Sequence, residues 1–192
     1  MKKKLISLLL SVLLIGLQTG CVEKNELGNL SVVTGLFIEP QNAGYLLIAD
    51  CAEFLEQGKE DSIVTKQMVV TASSLEEAVL SLTKESQLPL YFARAKVFLF
   101  GKGFLDESKQ AIIQELFDSR FVAADILVLQ ANFSAAQLLK KEDSSFGLSI
   151  DRQLKKQRDS SGCKLYQLVK NQENSVKIPT VTLSENGFRF TN

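Results

Sequence analysis

The chain has 192 residues, 45% of them hydrophobic, and its 22 Lys plus Arg are balanced by 22 Asp plus Glu. That length suits one domain with a core of useful size, and a mean hydropathy of +0.07 belongs to a globular chain. Zero net charge argues against a nucleic-acid binder that works by bulk positive charge, and the lack of any histidine rules out Ser-His and Cys-His catalysis and histidine-based zinc sites.

The chain opens with Lys2, Lys3 and Lys4, followed by the almost wholly apolar Leu5 to Leu17. This run is too short to span a bilayer, which takes about 20 residues, and has the length of a signal-peptide core. A buried N-terminal helix would explain the leucines. It would not explain the lysines ahead of them or the small residues behind. Thr19-Gly20-Cys21 is similar to a bacterial lipoprotein box, in which a small residue precedes a cysteine that is lipidated and becomes residue one. Gln18 stands where such a box usually has Leu, and Leu17 lies one step further back. Cleavage between Gly20 and Cys21 makes residues 1–20 a lipoprotein signal peptide. A thioether-linked diacylglyceryl group plus an amide-linked acyl chain supplies the multiple chains that stable anchoring requires. A secreted protein with a free or disulfide-bonded Cys21 is the alternative. Loss of the three lysines takes the basic residues to 19 against 22 acidic, a net charge of −3.

Residues 21–29 (CVEKNELGN) are polar and read as a tether. Leu30–Ile38 is rich in β-formers, Glu39–Gly44 (EPQNAG) is a turn-type linker, and Tyr45–Cys51 is a second strand, so the three form a hairpin. After the polar EQGKEDS, Ile63–Thr71 is a third strand. Ser74 and Glu77 have capping-box spacing, in which the serine accepts from the backbone of Glu77 and the glutamate reaches back. Leu75, Ala78, Val79 and Leu82 then recur at helical spacing, and this helix should end near Gln87, before Pro89. Lys96–Phe100 (KVFLF) is a continuous apolar run, as expected of a strand buried on both faces. Asp106 and Glu107 favour the start of a helix through its dipole, over Leu105–Arg120, with Ile112, Ile113, Leu116 and Phe117 as its apolar stripe. Asp125–Gln130 is another short apolar strand. Asn132-Phe133-Ser134 matches a glycosylation acceptor, but Ser134 reads as the cap of a short helix over Ala135–Lys140. The two buried strands, joined through a helix, form a crossover unit, and the hairpin in front makes the sheet mixed.

Beyond Glu142 the chain is more polar. Ile150 and Leu154 lie one turn apart. Arg152, Lys155, Lys156 and Arg158 form a basic cluster, read as a solvated helix face beside Asp151 and Asp159; contact with anionic lipid headgroups is the alternative. Leu165, Leu168 and Val169 give one more short amphipathic helix. Ile178–Leu183 enters a strand, and FRFTN is β-like. Cys51 and Cys163 read as two buried thiols, with a disulfide as the alternative. The fold expected is therefore α/β: a mixed β-sheet with packed helices, one layered domain over residues 30–192.

Catalytic signatures are missing. The sequence has no G-x-S-x-G elbow, P-loop, C-x-x-C pair or EF-hand loop. The neighbouring carboxylates Glu76/Glu77 and Asp106/Glu107 are explained by helix capping. No metal ligand set, catalytic residue or cofactor site emerges, and the expectation is a non-enzyme.

The order of these pieces resembles a known family. Cys21 is followed by Glu23-x-x-Glu26-Leu27 and a glycine-containing first strand. Next come TASSLEEAVLSLTKESQLPLYFARAKVFLFGKGFLDE, with its Lys96-Val97 strand, and FDSRFVAADILVLQANFSAAQLLK. Over roughly Cys21 to Leu183 the chain resembles the N-terminal domain of the Ger(x)C spore germination lipoproteins, the C subunits of nutrient germinant receptors. Val22 and Glu23 stand where the family usually has Trp and Asp, and Arg94 or Ala95 where a histidine often precedes the Lys-Val strand. Typical members continue into further α/β domains, so the resemblance implies a first-domain-only or truncated member. It also implies a subunit anchored through Cys21 at the extracytoplasmic face of the spore inner membrane. Its partners would be integral membrane receptor subunits and not nucleic acid, and its work assembly or signalling. A generic envelope lipoprotein serving as adapter or solute-binding module is the alternative. A secreted enzyme using carboxylates would need two of them converging in a cleft.

Overall fold

The structure, a computed structural model, describes residues 30–57, 60–141, 145–156, 163–171, 177–184 and 187–191. Three long strands come first: β1 (Ser31–Gln41), β2 (Gly44–Gln57) and β3 (Glu60–Ala72), paired antiparallel in sequence order. They are longer than the hydrophobic pattern indicates. Gln41 pairs with Gly44, so the linker expected over Glu39–Gly44 shrinks to Asn42-Ala43. Likewise Gln57 pairs with Glu60, so most of the supposed EQGKEDS loop is ladder. β1 ends opposite Glu53, and beyond that point β2 and β3 continue as a two-stranded ribbon. Such a ribbon has no third strand to pack on, so it shows no apolar alternation.

Helix α1 (Leu75–Glu85) begins where expected, with Ser74 Oγ accepting from Glu77 N at 3.2 Å. The reciprocal half of the capping box differs. The Glu77 carboxylate reaches one residue further back, to the backbone N and hydroxyl of Ser73, and these bonds hold its pKa below the ordinary value. The helix stops two residues short of Gln87. Two short elements without sequence signal follow: β4 (Leu90–Tyr91), parallel to the start of β1, and a 3-10 turn over Phe92–Arg94.

β5 (Val97–Phe100) is fully buried, as its composition demands. It connects through α2 (Asp106–Ser119) to the parallel neighbour β6 (Leu127–Ala131), completing the strand–helix–strand unit. α3 (Ala135–Leu139) carries the capping box of Ser134 and Gln137, and Phe133 beside it is buried core. α4 (Phe146–Lys156), β7 (Cys163–Lys164), α5 (Leu165–Lys170) and the hairpin β8 (Thr180–Ser184) and β9 (Gly187–Thr191) complete the chain.

Among the described residues the nine strands form one mixed sheet, ordered β3-β2-β1-β5-β6-β8-β9, with β4 beside β1 and β7 beside β6. β1, β5, β6 and β8 run parallel at its centre, flanked by antiparallel β2 and β3 on one side and antiparallel β9 on the other. Helices cover both faces. α1, α2 and α5 pack over Leu36, Leu47, Phe98 and Val128. α3 and α4 pack over Phe37, Ile48, Leu99 and Leu129. Alternation along β5 sends Val97 and Leu99 to one layer and Phe98 and Phe100 to the other. Cys51 and Cys163 are buried free thiols in the first layer, and burial raises Cys51 to about 11.

Candidate functional site

Gly20 and Cys21, with the whole tether over residues 21–29, lie outside the described residues, as does Arg158. The structure does define the end of the domain from which the tether leaves. Ser31 N donates to Pro89 O at 3.1 Å, and Ser31 pairs with Leu90. The chain therefore enters at the amino end of β1. Because β1, β5 and β6 are parallel, the amino ends of β5 and β6 lie at that same end.

A cleft of about 780 Å³ opens there. Doubly wound α/β sheets carry their ligands outside the carboxyl ends of the strands. At the carboxyl end of this sheet Gln130 Nε2 donates to Phe100 O at 3.0 Å and Gly101 O at 2.9 Å, and in the adjoining core layer Phe133 stacks on Phe37 and packs tilted against Phe188. The cleft at the opposite end gathers Arg94 after the 3-10 turn, Lys96 before β5, Lys155 from α4 and Lys164 from β7. Two carboxylates, Asp125 and Asp151, share it. Lys155 Nζ is held by Asp151 at 2.7 Å, and no ion pair among the described residues holds Arg94, Lys96 or Lys164. Buried Ala95 and Ile126 and half-buried Leu154 supply apolar lining. Of the described members of the basic cluster seen in the sequence, Lys155 lines the cleft, and Arg152 and Lys156 are exposed elsewhere on α4. Arg94, Lys96 and Lys164 carry no sequence signal as a group. β7 pairs Lys164 with Leu127 and so brings it beside the start of β5 and β6.

A second cluster, also missed in the sequence, is closed to solvent. The ladder between β1 and β2 bulges between Val33 and Gly35, which leaves Thr34 unpaired. Asp50 Oδ2 accepts from Thr34 Oγ1 at 2.9 Å, from Ser145 Oγ at 2.5 Å and from Gly147 N at 2.8 Å. Ser145 also caps α4 by accepting from Leu148 N at 3.1 Å. Asp50 thus receives an N–H of the first turn of α4, where the helix dipole favours a negative group. Asp50 is 1% exposed, its Oδ1 has no partner, and burial raises its pKa despite the three donors on Oδ2. Ser145 and Asp50 form a hydrogen-bonded pair whose donors fasten α4 to the sheet. The one glycine inside α4, Gly147, was the available signal, because a glycine costs a helix about 1 kcal/mol and marks close approach.

The carboxylate neighbours at the helix starts do not converge. Glu77 bonds Ser73, Asp106 pairs with Lys109 at 3.1 Å, and the backbone of Glu76 donates to Glu115. Among the described residues no three Asp, Glu, Cys or His side chains are placed to hold a metal ion, and no helix is long and apolar enough to cross a membrane.

A mixed sheet with a parallel centre, covered by helices on both faces, with a cationic cleft at the tethered end, is an α/β domain built around its edges and ends. Residues 23–186 match the family model of the spore germination protein N-terminal domain. The chain belongs to that family, the N-terminal domain of the Ger(x)C proteins, and its role is in spore germination. No curated protein and no solved structure matches it.

Proposed function

We propose that the protein is a non-catalytic, lipid-anchored subunit of a nutrient germinant receptor. It is held through Cys21 at the extracytoplasmic face of the spore inner membrane and acts by assembly or signalling beside integral membrane subunits. The observation that carries this reading is the family match, which begins two residues after Cys21 and runs through every strand of the sheet except β9, to residue 186. Lys2–Lys4, the apolar Leu5–Leu17 and Gly20-Cys21 supply the export and acylation signals that such a subunit needs.

Mass spectrometry of the native protein tests the anchor. The expected amino terminus is Cys21 carrying diacylglyceryl and acyl groups; a chain retaining Met1, or beginning at another residue, overturns it. Deleting the gene should impair nutrient-triggered germination. The wild-type chain should restore it and Cys21→Ala should not. Unaltered germination in the deletion strain overturns the receptor role. The alternative, a solute-binding module, draws on the cleft, whose volume lies within the range of about 300–1,000 Å³ typical of ligand pockets.

A further inference from the structure

We propose that the cleft at the amino ends of β5 and β6 binds the phosphoryl headgroup of an anionic membrane lipid. This rests on the anchored reading above, because it takes the bilayer as the source of the ligand.

Three observations converge. The first is charge. Arg94, Lys96, Lys155 and Lys164 face Asp125 and Asp151, a net of +2 in the cleft of a chain whose total charge is zero. One carboxylate is already engaged with Lys155, which leaves three cations against Asp125. A phosphodiester offers one negative charge and several acceptor oxygens, and guanidinium and ammonium groups satisfy it through charge-assisted hydrogen bonds. The second is shape. Lys96 and Lys164 are half-buried, and Ala95, Ile126 and Leu154 give the same cleft an apolar lining. A free inorganic anion has nothing to place against that surface, whereas the glycerol and upper acyl carbons of a lipid do. The third is position. Tyr91 stands half-exposed on the rim, and its neighbour Leu90 pairs with Ser31, where the tether begins. From Cys21 to Leu30 is nine residues, which fully extended reach about 30 Å. An anchor at Cys21 therefore brings this end, and not the carboxyl end of the parallel strands, toward the headgroups.

The test uses the native acylated chain, extracted from membranes in a non-ionic detergent, with its thermal midpoint followed during titration. The probes are dihexanoyl phosphatidylglycerol, dihexanoyl phosphatidylcholine and glycerol 3-phosphate. A ligand that binds only the folded state raises the midpoint. We expect a saturable rise with the anionic lipid, none with the zwitterionic lipid, and binding at least about tenfold weaker with glycerol 3-phosphate, which lacks the apolar part. Lys96→Gln and Lys164→Gln should each weaken binding about fivefold. Ala93→Glu, an added negative charge on an exposed lining position, should do the same with the core untouched and serves if either lysine variant fails to fold. An equal rise with both lipids, or unchanged affinity in a folded variant, overturns the proposal. Equal binding of glycerol 3-phosphate overturns the bilayer as the source. The titration needs no anchor, so a flat result on a chain shown to be acylated removes the cleft assignment and leaves the anchor standing.

Discussion

Asp50 sets the strongest local conflict in the molecule. Three donors on Oδ2 favour its anion, burial and an unpartnered Oδ1 oppose it, and burial wins, raising its pKa above the ordinary 3.8. The consequence has a definite sign. Between the unfolded value near 3.8 and the raised folded value, the native state binds more protons than the unfolded chain. Stability therefore falls as pH rises through that window, by at most about 1.4 kcal/mol per pH unit, and levels off above the folded pKa. Asp50→Asn keeps an acceptor for Ser145 and Gly147 but cannot ionise. The stability of this variant relative to the parent should grow as pH climbs from 4 through the window, read by urea unfolding at several pH values. A difference that is flat, or that shrinks with rising pH, contradicts the assignment. Asp50 itself was legible only as the polar end of an apolar strand. Its partner Ser145 is 95 residues away, joined to it by a hydrogen bond that no local pattern announces.

At the scale of elements, the docking of α4 is fixed by backbone contact. A methyl group added at Gly147 would overlap the carbonyl carbon and oxygen of Thr34, and one added at Gly35 would stand 2.6 Å from Phe146 Cε2. Gly147→Ala gains about 1 kcal/mol of helix propensity. Against this, the clash is with backbone, which cannot move aside as a flexible side chain would, and overpacking of that kind costs about 1–3 kcal/mol or more. It also stretches the bond from Gly147 N to Asp50. The variant should therefore be destabilised by about 1–2 kcal/mol net despite its better helix former, measured as a lowered urea midpoint with unchanged slope. A midpoint equal to or above the parent's would show that α4 can ride outward freely. Elements governed by local rules were readable: the Ser74 and Ser134 caps, the stripe Leu75, Ala78 and Leu82, and the doubly buried Val97–Phe100. Elements defined by pairing were not. β4 and β7 are two residues each, too short to have a period, and the outer ribbon of β2 and β3 exists through cross-strand pairing that ends in the polar pairs Glu56–Asp61 and Gln57–Glu60. The cationic cleft belongs to the same class, since Lys96 and Lys164 meet only because β7 pairs with β6.

The molecule as a whole has two unlike ends, and the proposed anchor at Cys21 would give that difference a consequence at the membrane. By random-coil scaling nine residues span a root-mean-square distance of about 17 Å, whereas a domain of this size is about 40 Å across. An anchored chain therefore keeps the amino ends of β1, β5 and β6 near the bilayer and leaves the opposite end, with its Gly101-Lys102-Gly103 turn, the better part of a domain diameter further out. Spin labels test this orientation on the acylated protein in vesicles, because Cys51 and Cys163 are buried and leave introduced surface cysteines as the reactive ones. A label at Ala93, exposed on the cleft rim, should relax strongly with a lipid-borne nickel chelate, and a label at Lys102 should relax weakly. Lengthening the tether with about 20 Gly/Ser residues should erode the contrast, because its reach then rises to about 30 Å, near the size of the domain. Equal relaxation at both labels with the native tether would mean that the domain tumbles freely on its anchor. Stronger relaxation at Lys102 would invert the orientation and take the headgroup cleft away from the membrane.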